Sequence, residues 1–179
     1  MSIHKWGTGV GAALVLVATG TWVMWPPGVD AGLWGEVRPV IEARLAADSR
    51  GSGYAETVPG LRARWFCRAE ALELNEHDGV VRAGVNTLCM EYGVQDRSLV
   101  ECSGGRYPQV VRLERRTDGT YRVVSREEPP DGDGYAEWTE SHFGLLAESK
   151  AEDSISAHSL EAAARAYFDL PEDAPVSAC

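Results

Sequence analysis

Lysine is nearly missing from this sequence. Two of its 179 residues are Lys and fifteen are Arg, against 27 acids, for a net charge of −10. A chain without surplus cations is not built as a general nucleic-acid binder, because neutralising phosphates requires them. Histidine is also scarce: His4, His77, His142 and His158 are the only four, and none falls at the HExxH spacing of a zinc helix. His142 and His158 read as surface histidines flanking an acidic stretch. No serine sits in a GxSxG elbow. The four cysteines contain no CxxC pair and no clustered zinc spacing, which excludes a thioredoxin-type site and a zinc ribbon. Gly7-Thr8-Gly9-Val10-Gly11 lacks both the preceding strand and the third glycine of a dinucleotide loop, and Gly7 and Gly11 read instead as a small-residue pair of a membrane helix. No repeat or low-complexity run is present, and no motif implies a cofactor.

What remains is a chain of one-domain size, 44% hydrophobic and 25% charged, able to bury a core. Its charge is unevenly spread. Residues 127–179 hold thirteen acids and two bases (Lys150, Arg165), a local net of −11, so the other 126 residues net +1. The acidity belongs to the C-terminal segment.

Between Lys5 and Asp30 no residue is charged. As a helix, Gly7–Trp25 would span about 28 Å, close to a bilayer core. Lys5 and the amino terminus precede it, so the positive-inside rule places everything after Pro26 outside the cytoplasm. Trp22 and Trp25 suit the far interface. The rival reading is a cleaved signal peptide, with Val10–Ala18 as its apolar heart and Ala18-Thr19-Gly20 or Val29-Asp30-Ala31 as the cleavage site. Trp22-Val23-Met24-Trp25 would make an unusually apolar mature start, which favours the uncleaved anchor. Both readings export the domain.

The pattern therefore divides as residues 1–29, anchor or signal; 30–130, a helix and an antiparallel sheet; and 131–179, an acidic helical segment packing on the same domain. The fold class is α+β. Val40–Ala47 has helical spacing, with Pro39 in the first turn, and Ser49–Gly60 reads as a loop. Alternation then predicts about five strands in a meander: Arg62–Leu74, Val80–Val94, Ser98–Ser103, Tyr107–Arg116 and Thr120–Ser125. Asp78-Gly79 and Asp118-Gly119 supply hairpin turns, and Gly104-Gly105 a break. Trp138–Lys150 reads as a helix or packing segment. Ser159–Leu170 reads as a helix capped by Ser159 and stopped by Pro171.

In an oxidising compartment the four cysteines can pair in three ways. Cys67 and Cys89 stand at similar distances from the Asp78-Gly79 turn, so a bridge across the first hairpin is favoured over two small buried thiols. Cys179 is free either to pin the tail through Cys102 or to pair between chains. Asp131-Gly132-Asp133-Gly134, with Glu137 and Glu140, has calcium-like donors but not EF-hand spacing, and reads as an acidic linker. The arginines from Arg106 to Arg126 read as internal charge balance.

A helix followed by a hairpin-connected sheet resembles the cystatin-like and nuclear-transport-factor-2-like folds, over residues 35–127 and by element order. Short tail, single anchor and exported domain together resemble accessory membrane proteins of actinobacterial envelope transport and conjugation systems. That resemblance implies an assembly part, bound to another envelope or membrane protein, rather than an enzyme. The alternative is a small enzyme or ligand carrier using the concave face of a cone-shaped sheet. There Trp65, Tyr92, Glu70 and Glu91 would face the ligand. A purely structural envelope protein is a third option.

Overall fold

The computed structural model describes residues 29–151 and 153–179. The apolar segment Gly7–Trp25, with Gly7, Gly11 and the Ala18-Thr19-Gly20 cleavage candidate inside it, lies outside the described residues. Among the described residues no helix is long and apolar enough to cross a membrane.

Helix α1 (Ala31–Asp48) starts nine residues before the expected Val40. Its start is fixed by Asp30, whose side chain accepts the Leu33 N–H at 2.7 Å. Pro39 thus lies inside the helix rather than in its first turn. Pro39 and Gly35, whose carbonyl loses its partner, both lie on the exposed face, where water can satisfy that oxygen. The opposite stripe, Trp34, Val37, Ile41 and Leu45, is buried.

Strands β1 (Arg64–His77), β2 (Val80–Gln95), β3 (Ser98–Arg115) and β4 (Tyr121–Glu127) form an antiparallel meander in sequence order. The expected break at Gly104-Gly105 does not occur, and the two strands expected there are one 18-residue strand. Both glycines remain paired to β2, opposite Met90 and Cys89. What they do is remove side chains where room is short: a Cβ on Gly104 would strike the Met90 sulfur, and one on Gly105 the Tyr107 ring. The fifth strand is instead β5 (Val176–Ala178), from the tail, pairing parallel with β3 at Leu99–Glu101.

A bulge between Ala71 and Glu73 puts Leu72 and Glu73 on the same face and reverses the alternation of β1. Before it, Cys67, Ala69 and Ala71 face α1 as expected; after it, Leu74 does. The α1 face is completed by Val81, Ala83, Val85, Val111, Leu113 and Tyr121. Each fully buried Leu or Ile in such a layer contributes about 1.5–3 kcal/mol.

The other face is covered by α2 (Gly134–His142), α3 (Leu145–Ala151) and α4 (His158–Tyr167). Phe143, Ala147 and Ala151 cover Leu72 and Val110, while Leu160 and Ala164 cover Leu88, Tyr92 and Leu99. The acidic segment is therefore the second layer of the fold. Helix α4 begins before the expected cap: Ser159 lies within its first turn, and the Ser156 hydroxyl accepts the His158 N–H at 3.3 Å. Its C-terminus closes as a Schellman motif, with Leu170 N–H to the Arg165 carbonyl and Asp169 N–H to that of Ala166.

Two disulfides staple the sheet. Cys67–Cys89 joins directly opposed residues of β1 and β2, with Cα atoms 4.1 Å apart. Such closeness belongs to a pair that exchanges no backbone hydrogen bonds. Cys102–Cys179 fastens the last residue to β3. Free thiols are absent among the described residues. Two bridges fit an oxidising, extracytoplasmic environment.

Candidate functional site

From the end of α1 the chain crosses the far part of the α1 face before entering β1. Two positions on β2 fix this crossing. Glu91 is fully buried, and its carboxylate accepts the N–H groups of Ala55 at 3.0 Å and Glu56 at 2.9 Å. Those N–H groups open a short 3-10 turn, Ala55–Thr57, so the carboxylate serves as its cap. Gly53 packs on the same carboxylate too closely to tolerate a side chain. Two residues along β2, Gly93 admits the Leu61 backbone. Glu91 is thus an anchor for the crossing segment and faces no open space.

The other residues expected to face a ligand do not gather with it. Trp65 lies beside Glu91, on the α1 face. Tyr92 and Glu70 are on the opposite face: Tyr92 is fully buried beneath α4, and Glu70 is exposed beside Arg68 at 3.6 Å. Burial first, then the charges of Glu101 and Glu161, push the Tyr92 phenol above its ordinary value. A single wall made of Trp65, Tyr92, Glu70 and Glu91 is therefore corrected to one cleft residue, two buried residues with other duties and one surface carboxylate.

Trp65 does line a cleft of about 260 Å3 between the end of α1 and the sheet. Asp48 and Ser49 form one side, Thr87, Tyr107 and Gln109 the floor, and Arg126 and Glu128 the other side. Arg126 holds these parts together, with its Nε 3.3 Å from Asp48 and its Nη1 2.7 Å from Glu128 and 3.1 Å from the side-chain Oε1 of Gln109. The Trp65 indole nitrogen is buried without a hydrogen-bond partner among the described residues. The cleft offers stacking and hydrogen bonding, and its one cation is already matched by two carboxylates.

A second depression, of about 760 Å3, lies where β2 turns into β3 and α4 ends. Val58, Leu61 and Phe168 give it an apolar floor, and Arg62, Arg97 and Asp169 stand around it. Sequence reasoning missed it, because its members come from three separated stretches and no one of them carries a motif.

The acidic Asp131–Glu140 stretch forms a turn and the start of α2, and among the described residues no three His, Cys, Asp or Glu side chains converge as metal ligands. Most arginines of the last hairpin have local partners: Arg112 pairs with Glu127, Arg122 with Glu114, and Arg106 donates to the Asp153 carbonyl. Neither protein-family models nor curated protein sequences give a match to this chain.

Proposed function

We propose that this protein is a membrane-tethered, extracytoplasmic binding module that works by holding another envelope protein. The observation that carries this reading is the pair of disulfides downstream of a charge-free apolar segment. An oxidised, stapled body behind a segment of membrane-spanning length is the construction of an exported, tethered domain. The packing supports binding over catalysis. Both sheet faces are filled by the chain's own helices, and Glu91, the one fully buried carboxylate among the described residues, is occupied by backbone N–H groups.

The test is crosslinking in cells followed by identification of what co-purifies, together with membrane fractionation and thiol labelling. A membrane-associated chain with no reactive thiols and one recurrent envelope partner is the expected result. A chain that fractionates with the cytosol, or crosslinks to nothing, overturns the reading.

One observation favours a second reading, a small-molecule carrier: the unpartnered indole N–H of Trp65 in the cleft beneath α1. Native mass spectrometry of the chain taken from membranes discriminates. A stoichiometric small molecule lost in Trp65→Ala would favour the carrier.

A further inference from the structure

Five residues other than glycine adopt left-handed backbone in the described chain: Arg62, Asp78, Asp96, Arg97 and Asp169. Asp78 belongs to an ordinary Asp-Gly hairpin turn. The other four, with φ of 51°, 50°, 62° and 55°, all line the 760 Å3 groove. Elsewhere the chain places glycine at such positions, at Gly51, Gly79, Gly119 and Gly132. Around this groove the two-residue turn from β2 to β3 is Asp96-Arg97 and the residue that closes α4 is Asp169, so charged side chains stand where glycine is the usual choice.

The charges themselves are unusual for this protein. Among the described residues, Arg62 and Arg97 have neither an ion pair nor a hydrogen bond through their guanidinium groups, and Arg64 is engaged only by the Tyr167 ring, at 5.5 Å. Asp96 and Asp169 frame the groove but come within ion-pair distance of neither arginine. In a chain with 27 acids, unpaired arginines at one spot are not a product of composition. Beside them lie exposed apolar groups, Val58 at 38% and Tyr167 at 56%.

Position completes the case. The first turns of α1 lie over the β1–β2 hairpin end, where Glu36 acts on Tyr121, whereas Leu45 and Asp48 reach Trp65 and Cys89. The chain thus enters at one end of the sheet and the groove lies at the other, separated by the 16 residues of β2, about 50 Å.

The geometry points to this groove as the docking surface for the partner, and to an acidic segment with an apolar anchor as the part of the partner that enters it. This rests on the binding-module reading. Carboxylates would complete Arg62 and Arg97, and an apolar side chain would cover Val58, Leu61 and Phe168. The flanking Asp96 and Asp169 disfavour a polyanion such as nucleic acid or an anionic lipid surface, while leaving room for one or two carboxylates.

The test uses the full chain in its own membrane, with a photo-crosslinking amino acid at Val58 or Tyr167 and, as controls, at Val80 or Val124, exposed by 39% and 41%. Mass spectrometry then reads the residue captured. Capture from the groove positions of a segment rich in Asp and Glu, reduced at least tenfold by Arg62→Glu with Arg97→Glu, is the expected result. A variant that keeps both disulfides and its melting temperature shows that the loss is not unfolding. Capture from the control positions alone overturns the groove and leaves the binding module standing. Capture of a basic segment, lipid or nucleic acid also overturns it, and no capture from any position overturns both readings.

Discussion

Glu91 and Gly53 interlock: the carboxylate of one occupies the space where the other would carry a side chain. Because that carboxylate also accepts two N–H groups, the pair fixes the whole passage from α1 to β1. Glu91→Gln replaces one acceptor by a donor facing an N–H, and a loss of about 2 kcal/mol is expected, or about 4–8 °C in melting temperature. Gly53→Ala should cost at least as much. Urea unfolding of both variants checks this, and an unchanged midpoint for either would remove Glu91 from its anchoring role.

The two disulfides should not follow loop length. Chain entropy alone gives about 3 kcal/mol for the 22-residue separation and about 4.5 for the 77-residue one. Cys179, however, follows a three-residue strand whose residues are all exposed. Once unbridged, that tail can detach and regain its own entropy in the folded state, which offsets the loss. The double variant Cys102→Ser with Cys179→Ser should therefore be the more stable of the two double variants. The reverse order in urea unfolding would contradict this.

Alkali should act through Tyr92. Burial, then Glu101 and Glu161, raise its folded-state pKa above the unfolded value near 10. A raised pKa gives stability that is complete below pH 10 and is lost as the pH climbs beyond it. Tyr92→Phe should flatten the fall of melting temperature between pH 9.5 and about 11.5. Tyr121 is shifted the same way, chiefly by burial, so the slope should shrink without vanishing. An identical slope in variant and parent would exclude Tyr92.

Arg126 should matter more than a surface arginine. It bridges Asp48, Glu128 and Gln109 with only a quarter of its side chain exposed. Arg126→Ala leaves Glu128 without its cation and Asp48 with Arg44 alone, at a cost of about 1 kcal/mol. Hydrogen exchange should accelerate at residues 45–49, the last turn of α1. Acceleration confined to β4 would place the role elsewhere.

Much of the sheet was legible because hairpins write themselves locally. Asp78-Gly79 marked the first hairpin, although its two-residue turn alone would set Cys67 against Met90. The bulge between Ala71 and Glu73 supplies the one-residue shift that opposes Cys67 and Cys89. Val80–Val94 matches β2 within a residue. Gly104-Gly105 misled because a glycine pair reads as a breaker, whereas here it clears space for Met90 and Tyr107. Helix α1 was shortened because Pro39 looks like a start, and the true signal, Asp30 with Leu33, lay upstream. The groove was invisible for a different cause. Left-handed φ at Arg62 or Asp169 has no signature when glycine is not used, and residues 58–62 meet 168–170 only after the sheet has formed.

The placement of the staples also sets how the molecule would yield to a pull. Tension applied between residues 29 and 179 cannot lengthen residues 67–89 or 102–179, since each span is short-circuited by a covalent bridge. Only the stretches 29–67 and 89–102 can pay out, and α1 with its crossing segment would strip first. Most of the described chain is thereby made inextensible, so a load borne at one end reaches the other through a body that can slacken by no more than those two lengths.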